Sequence, residues 1–239
     1  MSGPAYTKGG LRTAVLQQAD ALNSDRWDIT AGGEVDQIIS DCFDREWKRI
    51  LNANPYYTYQ QVLVNSDPVT GRIPIASLST GTGDTAKRFY RILVLIGPTD
   101  NIVYAPAWFT DIPLGETFAA NVRVWYLEGG DAGTSGNVFI LPKQLNTQFD
   151  FRTSWIPTRP SDLSADNVVV RFPADYQNIL RWEAAAWMLT KGGAETPASS
   201  ELRQFAEVMR TDMLEDIARL STDADQLRYP DSRFEWGGS

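Results

Sequence analysis

Glu183 is the residue whose position in the sequence most suggests chemistry. It lies in RFPADYQNILRWEAAAWMLTKGG, residues 171–193, a stretch with the apolar spacing of an amphipathic helix. At 100° per residue, Glu183 falls in the middle of the apolar side of that helix. The members of that side are Tyr176, Ile179, Leu180 and Trp187. A carboxylate in such a place can be a catalytic acid, a metal ligand or a member of a structural ion pair.

The composition of the chain bears on these three roles. The 239 residues include no histidine and a single cysteine, Cys42. Because each of them needs histidine, Ser-His-Asp triads, Cys-His pairs and HExxH zinc sites are excluded. Catalysis would have to use carboxylates, lysine, tyrosine or a metal bound mainly by oxygen, and no second motif carboxylate accompanies Glu183. We therefore predict a structural ion pair for Glu183, and we expect no catalytic residue, no cofactor and no metal. The candidate partners, on helices expected to pack nearby, are Arg45, Arg49 and Arg203.

The other polar clusters are typical of turns and solvated surfaces. The glycine-rich stretches STGTGD and EGGDAGTSGN match neither a P-loop nor GxGxxG, which favours hairpin loops. Two acidic clusters on predicted helices lack calcium-loop spacing, so we expect them to face solvent. They are Asp41, Asp44 and Glu46, and Asp212, Glu215 and Asp216. Cys42 falls on an apolar helix stripe, where a thiol behaves as a small hydrophobic residue.

Helices are predicted at both ends of the chain. Apolar spacing indicates one helix within residues 9–23, a second from about Gly33 to Asn52, a third beginning at Pro173 and a last beginning near Thr196. The stripe of the second helix is Val35, Ile38, Ile39, Cys42, Phe43, Trp47, Ile50 and Leu51. The stripe of the last helix is Leu202, Phe205, Met209, Met213, Ile217 and Leu220.

Short strands and turns are predicted between these helices, from Tyr56 to about Arg171. The candidate strands are YTYQQVLV, RIPIASL, KRFYRILVLI, NIVYAPAWF, NVRVWYL, NVFILP, FDFRTSWI and NVVVRF. Many short strands with regular turns are typical of a β-sandwich or a small barrel.

The simplest fold packs the terminal helices together and inserts the strands between them. We predict an α+β fold: an α-helical bundle formed by the N- and C-terminal helices, an inserted β-sandwich or barrel-like module, and an extended C-terminal tail. The expected parts are 1–55 and 173–220 for the helical domain, 56–172 for the β-rich module, and 221–239 for the tail.

The net charge of −8 and the sequence pI near 4.6 argue against a protein that grips DNA phosphates. The stretch MSGPAYTKGG lacks the pattern of a signal peptide, and no run approaches about 18 apolar residues, the length that spans a membrane. We expect synthesis in a cytoplasm and no membrane span.

Three aromatic residues stand out in the polar C-terminal segment. Tyr229, Phe234 and Trp236 are of the type that anchors protein interfaces. They can pack on their own domain or dock into a neighbouring subunit or partner, and we favour docking.

The order of elements resembles that of the head-to-tail adaptor proteins of tailed bacteriophages, also called connector or head-completion proteins. The early helix with FDREWKRILNANPYYTYQQ, the strand KRFYRILVL, and LSADNVVVRFPADYQNILRWEAAAWMLTKGGAE leading into LRQFAEVMRTDMLEDIARL carry the resemblance, over residues 10–220. In the family, a strand with a proline-bearing exit leads into two long C-terminal helices, often with K-G between them.

The resemblance implies a structural virion protein in the neck between head and tail, made in the cytoplasm of a bacterial host. Such proteins form a homo-oligomer, a twelve-subunit ring below the portal protein, extend the DNA channel without binding DNA specifically, and offer a surface to a tail, nozzle or other neck protein. A C-terminal segment commonly reaches the portal, so Tyr229, Phe234 and Trp236 become candidates for portal docking.

Two other functions stay open at this point. A β-sandwich binding module for carbohydrate or a host surface, on a helical oligomerisation platform, would be favoured by Trp108, Trp125 or Trp155 exposed on one β face. An enzyme using Glu183 would need a second carboxylate about 5–10 Å away in an open cleft.

Overall fold

The computed structural model describes residues 5–21, 27–98, 102–107, 123–128, 136–190 and 195–228, with residues 221–228 described by their backbone alone. The chain divides into two compact units, one made of Met1–Tyr57 with Ala165–Ser239 and the other of Thr58–Ser164. The first contains four α-helices and the second seven β-strands within the described residues. The predicted α+β class is confirmed.

The helical unit is built from both ends of the chain. Its helices are α1 (Lys8–Gln18), α2 (Glu34–Ala53), α3 (Asn178–Thr190) and α4 (Pro197–Arg228). α3 packs against α1, α2 and α4, and α2 also packs against α4. The predicted stripe of α2 is buried in full, which the regular 3–4 spacing of its large apolar residues explains.

The ends of two helices follow from local sequence. α2 stops at Ala53 because Pro55 disfavours helical geometry at Asn54, whose backbone is extended. α4 starts after Thr196, whose Oγ1 accepts a hydrogen bond from the Ser199 N–H at 3.1 Å, and Pro197 occupies its first position.

The β unit is a single barrel-like sheet. Its strands are β1 (Tyr59–Asn65), β2 (Ile73–Pro74), β3 (Lys87–Ile96), β4 (Val103–Pro106), β5 (Val124–Glu128), β6 (Asn137–Leu141) and β7 (Gln148–Pro157). They lie in the order β1-β7-β3-β4-β5-β6-β2, antiparallel except for β4 and β5. The 3-10 turn that follows β2 reaches β1 through a hydrogen bond from Gln60 Nε2 to the Leu78 carbonyl at 3.2 Å, so the sheet is nearly closed.

The core of the β unit combines residues from its strands with residues of the 3-10 turn that follows β2. Its fully buried members include Ile73, Ile75, Leu78, Leu95, Val138, Phe149 and Phe151. Tyr104 and Phe149 meet edge to face, with ring centroids 5.8 Å apart.

Two predicted strands are wrong. RIPIASL supplies only the two residues of β2, because Ile75–Leu78 turn into a 3-10 helix. NVVVRF forms no strand, and Val169 makes only an isolated bridge with Thr7. Residues 165–172 consequently group with the helical unit, whereas they were predicted to end the β module.

The third and fourth helices also differ from their predicted limits. Pro173 opens a 3-10 turn at Ala174–Tyr176, and α3 begins only at Asn178. α4 continues to Arg228, so residues 221–228 are helical although they were assigned to the extended tail.

Two predicted stripes need correction. On α3, Trp187 is 42% exposed, and three alanines, Ala184–Ala186, are fully buried. On α4, Phe205 and Leu220 are exposed. Within residues 197–220, the side chains buried on α4 are Ser199, Leu202, Ala206, Arg210, Met213 and Ile217, whose spacing of three and four residues follows the helix repeat.

Candidate functional site

Glu183 lies in a network of charged side chains between α2, α3 and α4. Its carboxylate accepts a hydrogen bond from Arg210 Nη2 and lies 3.4 Å from Arg45 Nη2. Arg210 also binds both carboxylate oxygens of Glu46, at 3.0 and 3.1 Å, and contacts Glu207 on its own helix. One guanidinium group therefore joins carboxylates from three helices.

The network is buried at its centre. The side chain of Glu46 is fully buried, that of Arg210 is 6% exposed and that of Glu183 is 15% exposed. Burial lowers the pKa of Arg210, but hydrogen bonding and attraction to Glu46, followed by Glu183, outweigh this and hold the pKa above its usual value. The Arg210 charge is thus held permanently between two carboxylates, an arrangement that links three helices.

The three arginines considered as partners of Glu183 have different roles. Arg45 pairs with Glu183, Arg49 binds Glu46 at 2.8 Å, and Arg203 binds Glu195 at 2.9 Å. Arg210 was missed, because a charged residue in an amphipathic helix is normally assigned to the solvated face. Its spacing of four residues from Ala206 and three from Met213 is the signal that places it on the buried side.

The expectation that Glu46 faces solvent is wrong. It follows Cys42 by four residues and precedes Ile50 by four, so it continues the buried stripe of α2. Asp41, Asp212, Glu215 and Asp216 are exposed as predicted.

A second ion network joins α1, α2 and the segment before α3. Arg12 binds both oxygens of Asp36, each at 2.7 Å, and both oxygens of Asp166, at 2.9 and 2.8 Å. The hydrogen bonds to Asp36 have the largest effect on Arg12 and, with those to Asp166, raise its pKa. The hydrogen bonds from Arg12 in turn lower the pKa of Asp166. The side chain of Asp36 is 1% exposed, so its pairing with Arg12 is buried.

Cys42 is buried on the stripe of α2, where its Sγ accepts a hydrogen bond from Arg45 Nη2 at 3.3 Å. Burial raises the pKa of its thiol to about 12, so the group stays protonated at neutral pH and is a poor nucleophile. No group of three or more Cys, Asp or Glu side chains suited to a metal ion occurs in the described part of the chain. Within the residues that the structure describes, every helix is too short or too polar to span a membrane.

An open groove of about 520 Å³ lies along α3 and α4. Its apolar walls are Trp182, Phe205, Val208 and Met209, and Glu201, Gln204 and Asp212 line it with polar groups. The rings of Trp182 and Phe205 lie 5.8 Å apart, and Phe205 and Val208 remain 47% and 60% exposed. We call these seven residues the α3–α4 groove.

The β unit has a polar cleft of about 510 Å³ beside Asp67 and Arg72. Asp67 accepts hydrogen bonds from the backbone and side chain of Thr70 and the backbone of Val69, which lower the pKa of Asp67. Arg72 is paired with Glu128 at 2.9 Å. Both charged groups are already engaged within the unit.

The tryptophans considered for a β-face binding site are not open platforms where they are described. Trp125 packs against the core of the β unit, and Lys87 Nζ lies 4.8 Å from the centroid of the Trp155 ring. Trp108 lies outside the described residues.

Tyr229, Phe234 and Trp236, the candidates for portal docking, also lie outside the described residues. Of the site residues predicted from sequence, the described residues thus include Glu183 alone, which belongs to an ion network and is not among the residues that line the α3–α4 groove. No protein-family model matches the chain, and no curated protein matches it.

Proposed function

We propose that the protein is a structural virion protein of a tailed bacteriophage, a ring-forming adaptor that joins the portal at the capsid vertex to the tail and extends the DNA channel. The observation that carries the proposal is the helical unit composed of both chain ends, with the β unit inserted between them. This is the order of elements on which the resemblance to head-to-tail adaptors rests.

The charge distribution supports the same function. The helical unit carries almost all of the net charge of −8. A ring of such subunits would surround passing DNA with negative potential, which prevents the wall from binding the phosphates.

In the full proposal, the four helices form one bundle, twelve copies close into a ring through repeated head-to-tail contacts, and the chain acts without catalysis or a cofactor. A tail or other neck protein binds to the face opposite the portal. α4, at 32 residues, is about 48 Å long, and the three aromatic candidates for portal docking follow its last residue, Arg228, in the sequence.

Electron microscopy tests the proposal directly. The purified full-length chain is mixed with the portal protein of the same phage and imaged. We expect a ring stacked coaxially on the portal. Particles in which the portal remains bare at micromolar protein would contradict the adaptor function.

A narrower experiment tests the role of the C-terminal segment. In the full-length chain, Tyr229, Phe234 and Trp236 are replaced together by alanine, and binding to the portal is measured by co-sedimentation. We expect loss of binding with unchanged circular dichroism. Leu145→Ala, at an exposed leucine of the β unit, is the control for an apolar truncation elsewhere and should bind like the wild type. Portal binding that survives the triple substitution excludes these aromatics as anchors.

A further inference from the structure

The α3–α4 groove leaves large apolar side chains exposed along one side of α4. Phe205, Val208 and Met209 lie beside Trp182, whereas the opposite side of α4 is packed against its own unit. Covering Phe205 and Val208 would remove apolar area from water, which favours a bound partner.

The polar groups around the groove define the chemistry of that partner. Glu201 and Asp212 are carboxylates at its edge, and Gln204 is neutral. Arg181 lies beside the wall, with its guanidinium carbon 5.9 Å from the centroid of the Trp182 ring. A fitting ligand combines aromatic side chains with guanidinium groups and an occasional carboxylate.

The chain itself contains such a segment. Residues 228–236, RYPDSRFEW, place three aromatic side chains and two arginines within nine residues, together with Asp231 and Glu235. The aromatics can fill the apolar walls, the arginines can pair with Glu201 and Asp212, and a carboxylate can accept from Arg181.

The length of α4 decides which copy supplies the segment. Arg228 ends the helix sixteen residues beyond Asp212, about 24 Å away at 1.5 Å per residue. Trp236 follows Arg228 by eight residues, which span at most about 29 Å when fully extended. Folded straight back, only Trp236 reaches the near edge of its own groove, and Tyr229 cannot reach it.

We propose that the α3–α4 groove binds residues 228–236 of a second copy of this chain. The contact is heterologous, because groove and segment are different surfaces, and it can be repeated from copy to copy. The inference goes beyond the adaptor function and does not require a portal. Where a portal is present, it competes with the groove for the same aromatic residues.

A peptide-binding assay tests the contact. A fluorescein-labelled peptide, RYPDSRFEWGGS, is titrated with the full-length chain, and fluorescence anisotropy is measured. We expect saturable binding that is lost when the three aromatics of the peptide are replaced by alanine. The full-length double variant F234A/W236A should bind the labelled peptide at least threefold more tightly than the wild type, because its own segment no longer occupies the grooves.

Val208→Glu tests the location of the site. This side chain is 60% exposed, so the fold is expected to tolerate a carboxylate that opposes the aromatic ligand. We expect at least tenfold weaker peptide binding and weaker self-association by sedimentation velocity. Val103→Glu, at a valine of the β unit with 59% exposure, is the matched control and should bind like the wild type.

Two results would overturn the proposal. One is the absence of saturable peptide binding to both the wild type and the F234A/W236A variant. The other is equal binding by Val208→Glu and Val103→Glu, which places the peptide elsewhere. Since no portal is present, either failure leaves the adaptor function standing, and a portal that fails to bind leaves this contact standing.

Discussion

At the scale of single residues, Arg210 has the most demanding position in the helical unit. Its side chain is 6% exposed and forms ion pairs with Glu46, Glu183 and Glu207. Two buried carboxylates around one guanidinium group are tolerable only while that group is present, because an unpaired buried charge is strongly unfavourable. The network therefore fixes the relative positions of α2, α3 and α4.

Arg210→Met should lower the free energy of unfolding by about 3–5 kcal/mol, because it leaves Glu46 buried without its main partner. Urea denaturation followed by circular dichroism measures this loss. Arg219→Met is the control: Arg219 is on the same helix with a side chain 73% exposed, and its removal should change stability by less than about 0.5 kcal/mol.

Adding Glu46→Gln to Arg210→Met should recover part of the lost stability, since the unpaired charge is then removed as well. If the two single losses instead add in full, the two residues act independently and the buried pair does not hold the helices together.

Asp166 gives a prediction with a defined pH window. Arg12 lowers the pKa of Asp166 from 3.8, so the ionised carboxylate stabilises the fold above pH 3.8 and this contribution is lost as pH falls through the lowered pKa. Asp166→Asn should therefore be less stable than the wild type at pH 7, and the difference should shrink below about pH 4. Urea midpoints at pH 7 and pH 3 test this, with exposed Asp41→Asn as the control. A difference that is constant with pH would show that the charge of Asp166 contributes nothing.

At the scale of elements, the sequence predicts best where large apolar residues repeat regularly. α2 and β3 lie within a residue or two of their predicted limits, because branched and aromatic side chains at helical or alternating spacing have only one face to bury. An ion pair for Glu183 was predicted from the sequence, but choosing its partner requires knowing which helices pack together. Of the three candidate partners, Arg45 alone lies beside Glu183.

The errors arise where buried positions hold charged or small residues. Glu46 and Arg210 are assigned to solvent when their charge alone is considered, although their spacing continues the buried sides of α2 and α4. The meeting of α2, α3 and α4 satisfies both charges. On α3, Ala184–Ala186 are buried while Trp187 is exposed. Where two helices pack closely, the contact has room only for small side chains, so size decides which residues are buried more than hydrophobicity does. A single sequence does not contain these tertiary choices.

The alanines of α3 lead to a prediction for helix packing. Ala185→Leu adds three carbon atoms at a fully buried position where α3 meets its neighbours, which should cost about 1–3 kcal/mol through overpacking. Ala198→Leu, at an exposed position in the first turn of α4, is the same substitution without burial and should be close to neutral. Equal urea midpoints for the two variants would show that α3 is not closely packed at Ala185.

At the scale of the whole molecule, the net charge is concentrated in the helical unit. That unit bears almost all of the net charge of −8 and also the α3–α4 groove. Subunits that carry like charge repel one another, so self-association through a groove and an aromatic segment has to overcome that repulsion. Salt screens the repulsion over roughly 10 Å at 0.1 M, which should favour assembly as ionic strength rises.

The net negative charge also predicts that the protein does not bind DNA. Fluorescence anisotropy with a labelled duplex of about 30 base pairs should show no saturable binding at 0.1 M salt up to roughly 10 μM protein, because the acidic chain offers few sites for counterion release. Lowering the salt should not create binding, since weaker screening strengthens repulsion between the chain and the phosphates as much as any local attraction. A basic DNA-binding protein provides the positive control. Micromolar binding that weakens steeply with salt would reveal a cationic surface facing DNA and would contradict a channel wall that lets DNA pass without holding it.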